Sequence, residues 1–267
     1  MLKDRIPEAL LLPRDFFVPG RERTKNGMRR SSGEVVTRLC TVALLAALGF
    51  VLMAFARIPY PPAPWLMIEF SEVTVLIAYA LYGWGGALFV AVAKTGLDLA
   101  VNGPTDPLFV GHLTALLTSL LFVLSLFLTA HVFHWFRKGL GYRILAYVCL
   151  ALFVSLTMTA LNGLFITPTY AEGSYTTCFS PSSIANVMKA LGKEGVSGAG
   201  VYWGTIFGLY LPFNLIKTSS VCLLYEVLFN ALIFVLMERS PKMKKYFVGS
   251  VFEKESGSKE ETEKTKR

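Results

Sequence analysis

From residue 35 onward the chain reads as long apolar runs separated by short polar connections. A helix needs roughly 20 apolar residues to cross about 30 Å of hydrocarbon. Residues 35–56 meet that length with only Arg38 interrupting near the start, and 111–136, 142–167 and 203–237 meet it as well. The run from 72 to 101 would overshoot the bilayer as one helix, and Gly83-Trp84-Gly85-Gly86 stands in its middle. Glycines there permit a tight reversal, so the run divides into two short helices, 72–82 and 85–101, neither of which has to span alone. The pattern predicts an all-α integral membrane protein with six transmembrane helices, the second and third of them short.

Composition agrees, and charge orients the bundle. Hydrophobic residues make up 54% of the chain and charged residues 16%, with mean hydropathy +0.52, whereas soluble domains carry about 25% charged residues. Residues 1–34 are charged throughout and do not read as a cleaved signal peptide; they are expected to form a basic cytosolic extension. Arg21, Arg23, Lys25, Arg29, Arg30 and Arg38 precede the first span, Arg137, Lys138 and Arg143 join the fourth to the fifth, and Arg239, Lys242, Lys244 and Lys245 follow the sixth. The alternate connections are nearly balanced: Arg57, Glu69, Glu72, Asp106, Glu172, Lys189, Lys193 and Glu194. The excess of Lys and Arg marks the cytosolic side, so both termini are expected there, in a multi-pass protein of a bacterial cell (plasma) membrane. The net charge of +8 is then a topology signal with some attraction to anionic lipid, and does not point to nucleic acid. Residues 35–240 form the membrane domain, and 241–267, where Lys and Glu alternate without apolar anchors, read as a disordered cytosolic tail.

Candidate chemistry concentrates on the opposite, outer side. Asn214 and Lys217 lie inside the last span, in Tyr210-Leu211-Pro212-Phe213-Asn214-Leu215-Ile216-Lys217. An ionisable residue within a span costs roughly 2.5 to 3.5 kcal/mol on insertion scales and normally faces a cavity or pathway. Pro212 lacks the N–H that would reach the Gly208 carbonyl, which frees that oxygen near the outer end. Asn162, near the outer end of the fifth span, adds a second carboxamide; polar groups of this kind either hold a polar ligand or hydrogen-bond helices together. Two outer connections are long or stiff: Pro59-Tyr60-Pro61-Pro62-Ala63-Pro64-Trp65, and the Gly- and Ser-rich 171–202. Such connections serve as lids or as plain linkers, and Tyr60, Trp65 and Phe70 fit either a lid or an interfacial aromatic belt. No metal site is expected: Cys40, Cys149 and Cys222 sit in apolar runs and Cys178 in a loop, and His131 and His134 belong to the cytosolic end of the fourth span beside Trp135 and Arg137.

Two stretches then carry a resemblance. Leu161-Asn162-Gly163-Leu164-Phe165-Ile166-Thr167-Pro168-Thr169-Tyr170 and Leu211-Pro212-Phe213-Asn214-Leu215-Ile216-Lys217 resemble motifs of the fifth and sixth helices of riboflavin-specific S components of energy-coupling factor (ECF) transporters. Glu69-Phe70-Ser71-Glu72, an apolar run, a glycine turn and Lys94 resemble the first loop and the second and third helices of that family. The resemblance covers about residues 36–240. It implies a substrate-binding subunit that is itself no enzyme and has no cofactor, that binds riboflavin and that joins a transmembrane T subunit and two cytosolic ATPases. The ligand contacts it implies are Asn162, Asn214, Lys217, Tyr170, Trp65, Phe70, Glu69 and His112, the last following Gly111 at the outer end of the fourth span. It also implies a docking face for the T subunit on the first helix, carried by Ala43, Ala46 and Ala47; small residues spaced in this way serve internal packing equally well.

Other classes read less well on the residues. The chain contains no Gly-x-x-x-x-Gly-Lys-Ser/Thr phosphate loop, and neither His-Glu-x-x-His nor Gly-x-Ser-x-Gly. A stand-alone ion-coupled carrier would use Lys94, Asp98 and Glu226, but no inverted repeat is evident. Lys94 and Asp98, four apart, can form an ion pair on one helix face, and Glu226 and Asn230 share that spacing nearer the cytosol. Within the S-component reading, the alternative ligand is another water-soluble vitamin or a precursor.

Overall fold

With no water in the hydrocarbon core, a spanning segment must satisfy its own backbone, which a helix does. A computed structural model of the chain describes residues 32–104, 107–129, 140–193, 195 and 198–228. The apolar runs are helices α1 (Ser32–Phe55), α2 (Glu72–Asn102), α3 (Val110–Phe127) and α4 (Leu140–Leu161); α4 continues through a π-helical turn, Asn162–Ile166, into α5 (Thr167–Glu172). After α6 (Pro181–Ala190) the chain ends its described part in α7 (Ala199–Glu226). Five of these stretches are long and apolar enough to cross a membrane. His131, His134, Asn230, residues 1–31 of the basic extension and the 241–267 tail lie outside the described residues.

The reversal expected in the second run is real. Gly83 breaks α2 with φ 69° and ψ −157°, a conformation that side chains with a Cβ resist. The two arms fold back on each other, so Glu72 and Lys94, equidistant in sequence from Gly83, meet at 2.8 Å with both side chains fully buried. Lys94 therefore does not pair with Asp98. A long side chain on the second arm reaches across the hairpin to the start of the first, where Ser71 Oγ also accepts from its Nζ at 2.8 Å. Residues 72–79 are buried on every side, which explains why the run shows no polar face. Glu226 likewise finds its partner in another helix, accepting from Arg143 of α4.

The two connections that the charge pattern assigns to the outer side are more ordered than their composition suggests. Residues Ile58–Tyr60 (β1) and Ala63–Ile68 (β2) form an antiparallel hairpin with Ile58 opposite Ile68 and Pro59 opposite Met67, so the described part of the chain is helical with one small hairpin added. Two strands alone are marginal in water; this hairpin rests on α7, with the Tyr60 and Phe213 rings 5.5 Å apart and Ala63 buried beside them. In the 171–202 stretch, Ser180-Pro181 opens α6, since proline at the first helical position loses no hydrogen bond. Val187 and Met188 of α6 pack on Cys178, Tyr202 and Tyr210.

On α1 the small residues divide between two faces. Ala46 is buried in the core against α2, and Gly49 lies so close to α2 that an added Cβ would stand 2.6 Å from Thr74 Oγ1. Ala43 and Ala47 face outward. The expectation that all three alanines share one docking face is thus corrected: Ala46 is needed for internal packing.

Candidate functional site

Local backbone chemistry sets the polar groups in place first. Asn162 opens the π-helical turn, and its Nδ2 donates to the Met158 carbonyl at 2.8 Å, which leaves its carboxamide oxygen for other partners. Pro168 has no N–H to offer the Leu164 carbonyl; the Cys178 N–H donates to that oxygen instead, at 3.1 Å, tying the outer connection to the end of the span. At Gly163 an added Cβ would sit 2.5 Å from the Trp203 ring and 2.9 Å from Ile206, so α7 approaches this turn only because a glycine is there. Tyr202 Oη closes the contact by donating to the Gly163 carbonyl.

On α7, Tyr210, Phe213, Asn214, Lys217 and Thr218 recur at helical spacing and line one cavity. Asn214 Nδ2 donates to Thr159 Oγ1 at 3.1 Å, and Ser155 Oγ donates to Thr218 Oγ1 at 3.2 Å. Lys217 lies 3.2 Å from Glu69 Oε1. Burial by itself would push the Glu69 carboxyl up, but the charges of Lys217, then Lys94, then Arg57, together with the Lys217 hydrogen bond, hold it below the usual carboxylate range. A depressed carboxyl keeps its ion pair through neutral pH and loses it only as pH falls through that lowered value.

The cavity measures about 530 Å³, within the 300–1,000 Å³ or so typical of small-molecule sites. Its roof is the hairpin residues Trp65, Leu66 and Met67; its walls include the apolar Phe122, Val154, Met158 and Ile166. Of the expected contacts, Asn162, Asn214, Lys217, Tyr170, Trp65, Glu69 and His112 all line it. Phe70 does not: just past the end of β2 it turns to the helix core, half-buried against it. Trp65 is 60% exposed, as a roof residue over an accessible site would be.

Sequence reasoning missed the apolar walls, which carry no signal distinct from ordinary membrane helices. It also missed a polar corner built by Arg57, Asp98 and His112. Arg57 Nη2 donates to Asp98 Oδ1 at 3.4 Å, and His112 Nε2 lies 3.2 Å from Asp98 Oδ2 but outside hydrogen-bonding geometry. His112 was expected as a ligand contact and Arg57 only as a charge in the connection after the first run, and no spacing joined either of them to Asp98.

A half-covered cavity with apolar walls and a few placed amides and charges, inside a helical membrane bundle, defines a solute-binding membrane protein. The chain belongs to the family of ECF transporter substrate-specific components, whose family model matches residues 37–229. It is therefore a transport subunit of the cell membrane and not an enzyme, of the kind that works with a T subunit and ATPases. It is 26% identical to the riboflavin transporter FmnP of Bacillus subtilis, over 73% of this chain and 90% of that one. With the riboflavin transporter RibU of Staphylococcus aureus it shares 25% over 78% of this chain and 96% of that one. An uncharacterised protein of Mycoplasma pneumoniae is 30% identical, over 67% and 79%. In fold it matches a solved S component of a bacterial ECF transporter with TM-score 0.51 and 20% identity, covering 76% of this chain and 98% of that one.

Proposed function

We propose that this chain is the riboflavin-binding subunit of an ECF importer, with the ligand held between the hairpin, α3, the α4–α5 turn and α7, and with both termini cytosolic. The observation that carries the reading is the convergence of Asn162, Asn214 and Lys217 on one apolar cavity. Riboflavin presents a flat apolar ring system, a polar pyrimidine edge and a hydroxylated chain. An apolar slot suits the rings, and a carboxamide, with two donors and an acceptor oxygen, suits an imide edge or paired hydroxyls. Relatives named as riboflavin transporters support the same ligand.

Protein purified in mild detergent from cells supplied with the vitamin is expected to be yellow, with visible flavin absorbance in stoichiometric amount. Colourless protein that binds a different vitamin would replace riboflavin and leave the S-component role standing. The hairpin is the lid in this reading. In a variant with Trp84, Trp135 and Trp203 changed to Phe, the lifetime-corrected rate of iodide quenching of Trp65 is expected to fall at least about twofold when riboflavin binds, because a closed lid excludes solvent from the site. Unchanged accessibility would make the hairpin a static interfacial belt.

A further inference from the structure

Resting on the riboflavin reading, we propose that the cavity selects flavin without a phosphate, and that Asp98 is the residue that sets this preference. Four formally charged side chains line the cavity among the described residues: Arg57, Glu69, Asp98 and Lys217. Each cation already faces a carboxylate, Lys217 at 3.2 Å from Glu69 and Arg57 at 3.4 Å from Asp98. The lining is therefore charge-balanced, with no cation left over for an incoming anion.

The Asp98 corner is built for a neutral, hydroxylated ligand. Asp98 is 2% exposed, and Asn102 Nδ2 donates to its Oδ1 at 2.7 Å. Arg57 Nε donates to the Met53 carbonyl, so the guanidinium is pinned while its Nη2 faces Asp98. Neither ring nitrogen of His112 has a hydrogen-bond partner among the described residues, although the residue is only 6% exposed and lines the cavity. Buried polar groups seek partners, and a hydroxyl can donate to Asp98 while an imidazole donates or accepts beside it. A polyol chain thus completes this corner.

A phosphate monoester fits it badly. It brings a charge of about −1.5 to −2 at neutral pH, beside a buried carboxylate that already occupies Arg57, the one arginine among the described lining residues. Arginine is the side chain best shaped for phosphate, so Asp98 acts by withholding Arg57 as well as by repulsion. Discrimination by an unfavourable charge against the wrong ligand is a common route to specificity.

The test is flavin fluorescence quenching by the purified, ligand-stripped protein in detergent at neutral pH, titrated with riboflavin and with riboflavin 5′-phosphate. The wild type is expected to bind riboflavin at least about tenfold more tightly, which is about 1.4 kcal/mol. Asp98→Asn keeps the size and a hydrogen-bonding oxygen but frees Arg57, so the affinity ratio is expected to narrow at least about fivefold in favour of the phosphate form. Arg57→Gln, with the carboxylate left uncompensated, is expected to widen it. Equal wild-type affinities, or a ratio that Asp98→Asn leaves unchanged or Arg57→Gln narrows, would overturn the proposal. Absence of riboflavin binding by the wild type would instead overturn the vitamin reading beneath it.

Discussion

Asn214→Ala is expected to weaken riboflavin binding by about five- to 150-fold, the equivalent of about 1 to 3 kcal/mol for one lost polar partner in a desolvated site. Asn214 is buried on the cavity face of α7 between Phe213 and Lys217, and one of its two Nδ2 hydrogens is donated to Thr159. Its carboxamide oxygen and its second N–H are left for a ligand. Truncation removes that acceptor and leaves Thr159 Oγ1 without its donor, while the apolar walls of Phe122, Val154 and Met158 remain in place. The fold should survive, since α7 keeps its packing through Tyr202, Ile206 and Val221. Fluorescence titration of the flavin measures the loss, and an unaltered dissociation constant would remove Asn214 from the ligand contacts.

Ala43→Trp combined with Ala47→Trp is expected to abolish ATP-dependent uptake in cells expressing the T subunit and ATPases while leaving ligand binding by the isolated protein intact. The two alanines lie one turn apart on the outward side of α1, among the exposed Leu39, Leu44 and Leu48. Small residues let a partner helix approach closely, and two indoles there would hold it off. The cavity is built from the hairpin and from α2, α3, the α4–α5 turn and α7, with α1 adding only Met53 at its outer end. Binding and transport should therefore separate. Normal uptake would exclude this face as the docking surface; joint loss of binding and uptake would mean that the outward alanines serve the fold after all. The inward Ala46 provides the contrast: Ala46→Trp would overfill the packed contact with α2 and is expected to lose binding and expression together.

The apolar runs, the reversal at Gly83 and the polar face of α7 were all legible in the chain. Each depends on interactions within one segment: burial of backbone polar groups in helices, glycine's access to positive φ, and the recurrence of Tyr210, Asn214 and Lys217 at helical spacing. Local reading failed where the partner lies elsewhere. Spacing allowed Lys94 to pair with Asp98, yet Lys94 meets Glu72 across the α2 hairpin, and Asp98 meets Arg57 and His112 from flanking elements. The outer connections looked like loops because proline and serine mark turns; they hold a hairpin and α6 because both find apolar support on α7 or beside it, in Phe213 for one and Tyr202 and Tyr210 for the other. The same holds for Ala46 and Phe70, whose inward orientation follows from which side of each element meets the core. Composition and periodicity were enough for a multi-helix membrane protein with polar residues at one end of its last spans. That Glu69 and Lys217, 148 residues apart, close on each other under one roof follows from the packing of distant segments, because hydrophobic periodicity orients a helix face but does not name the helix it will face.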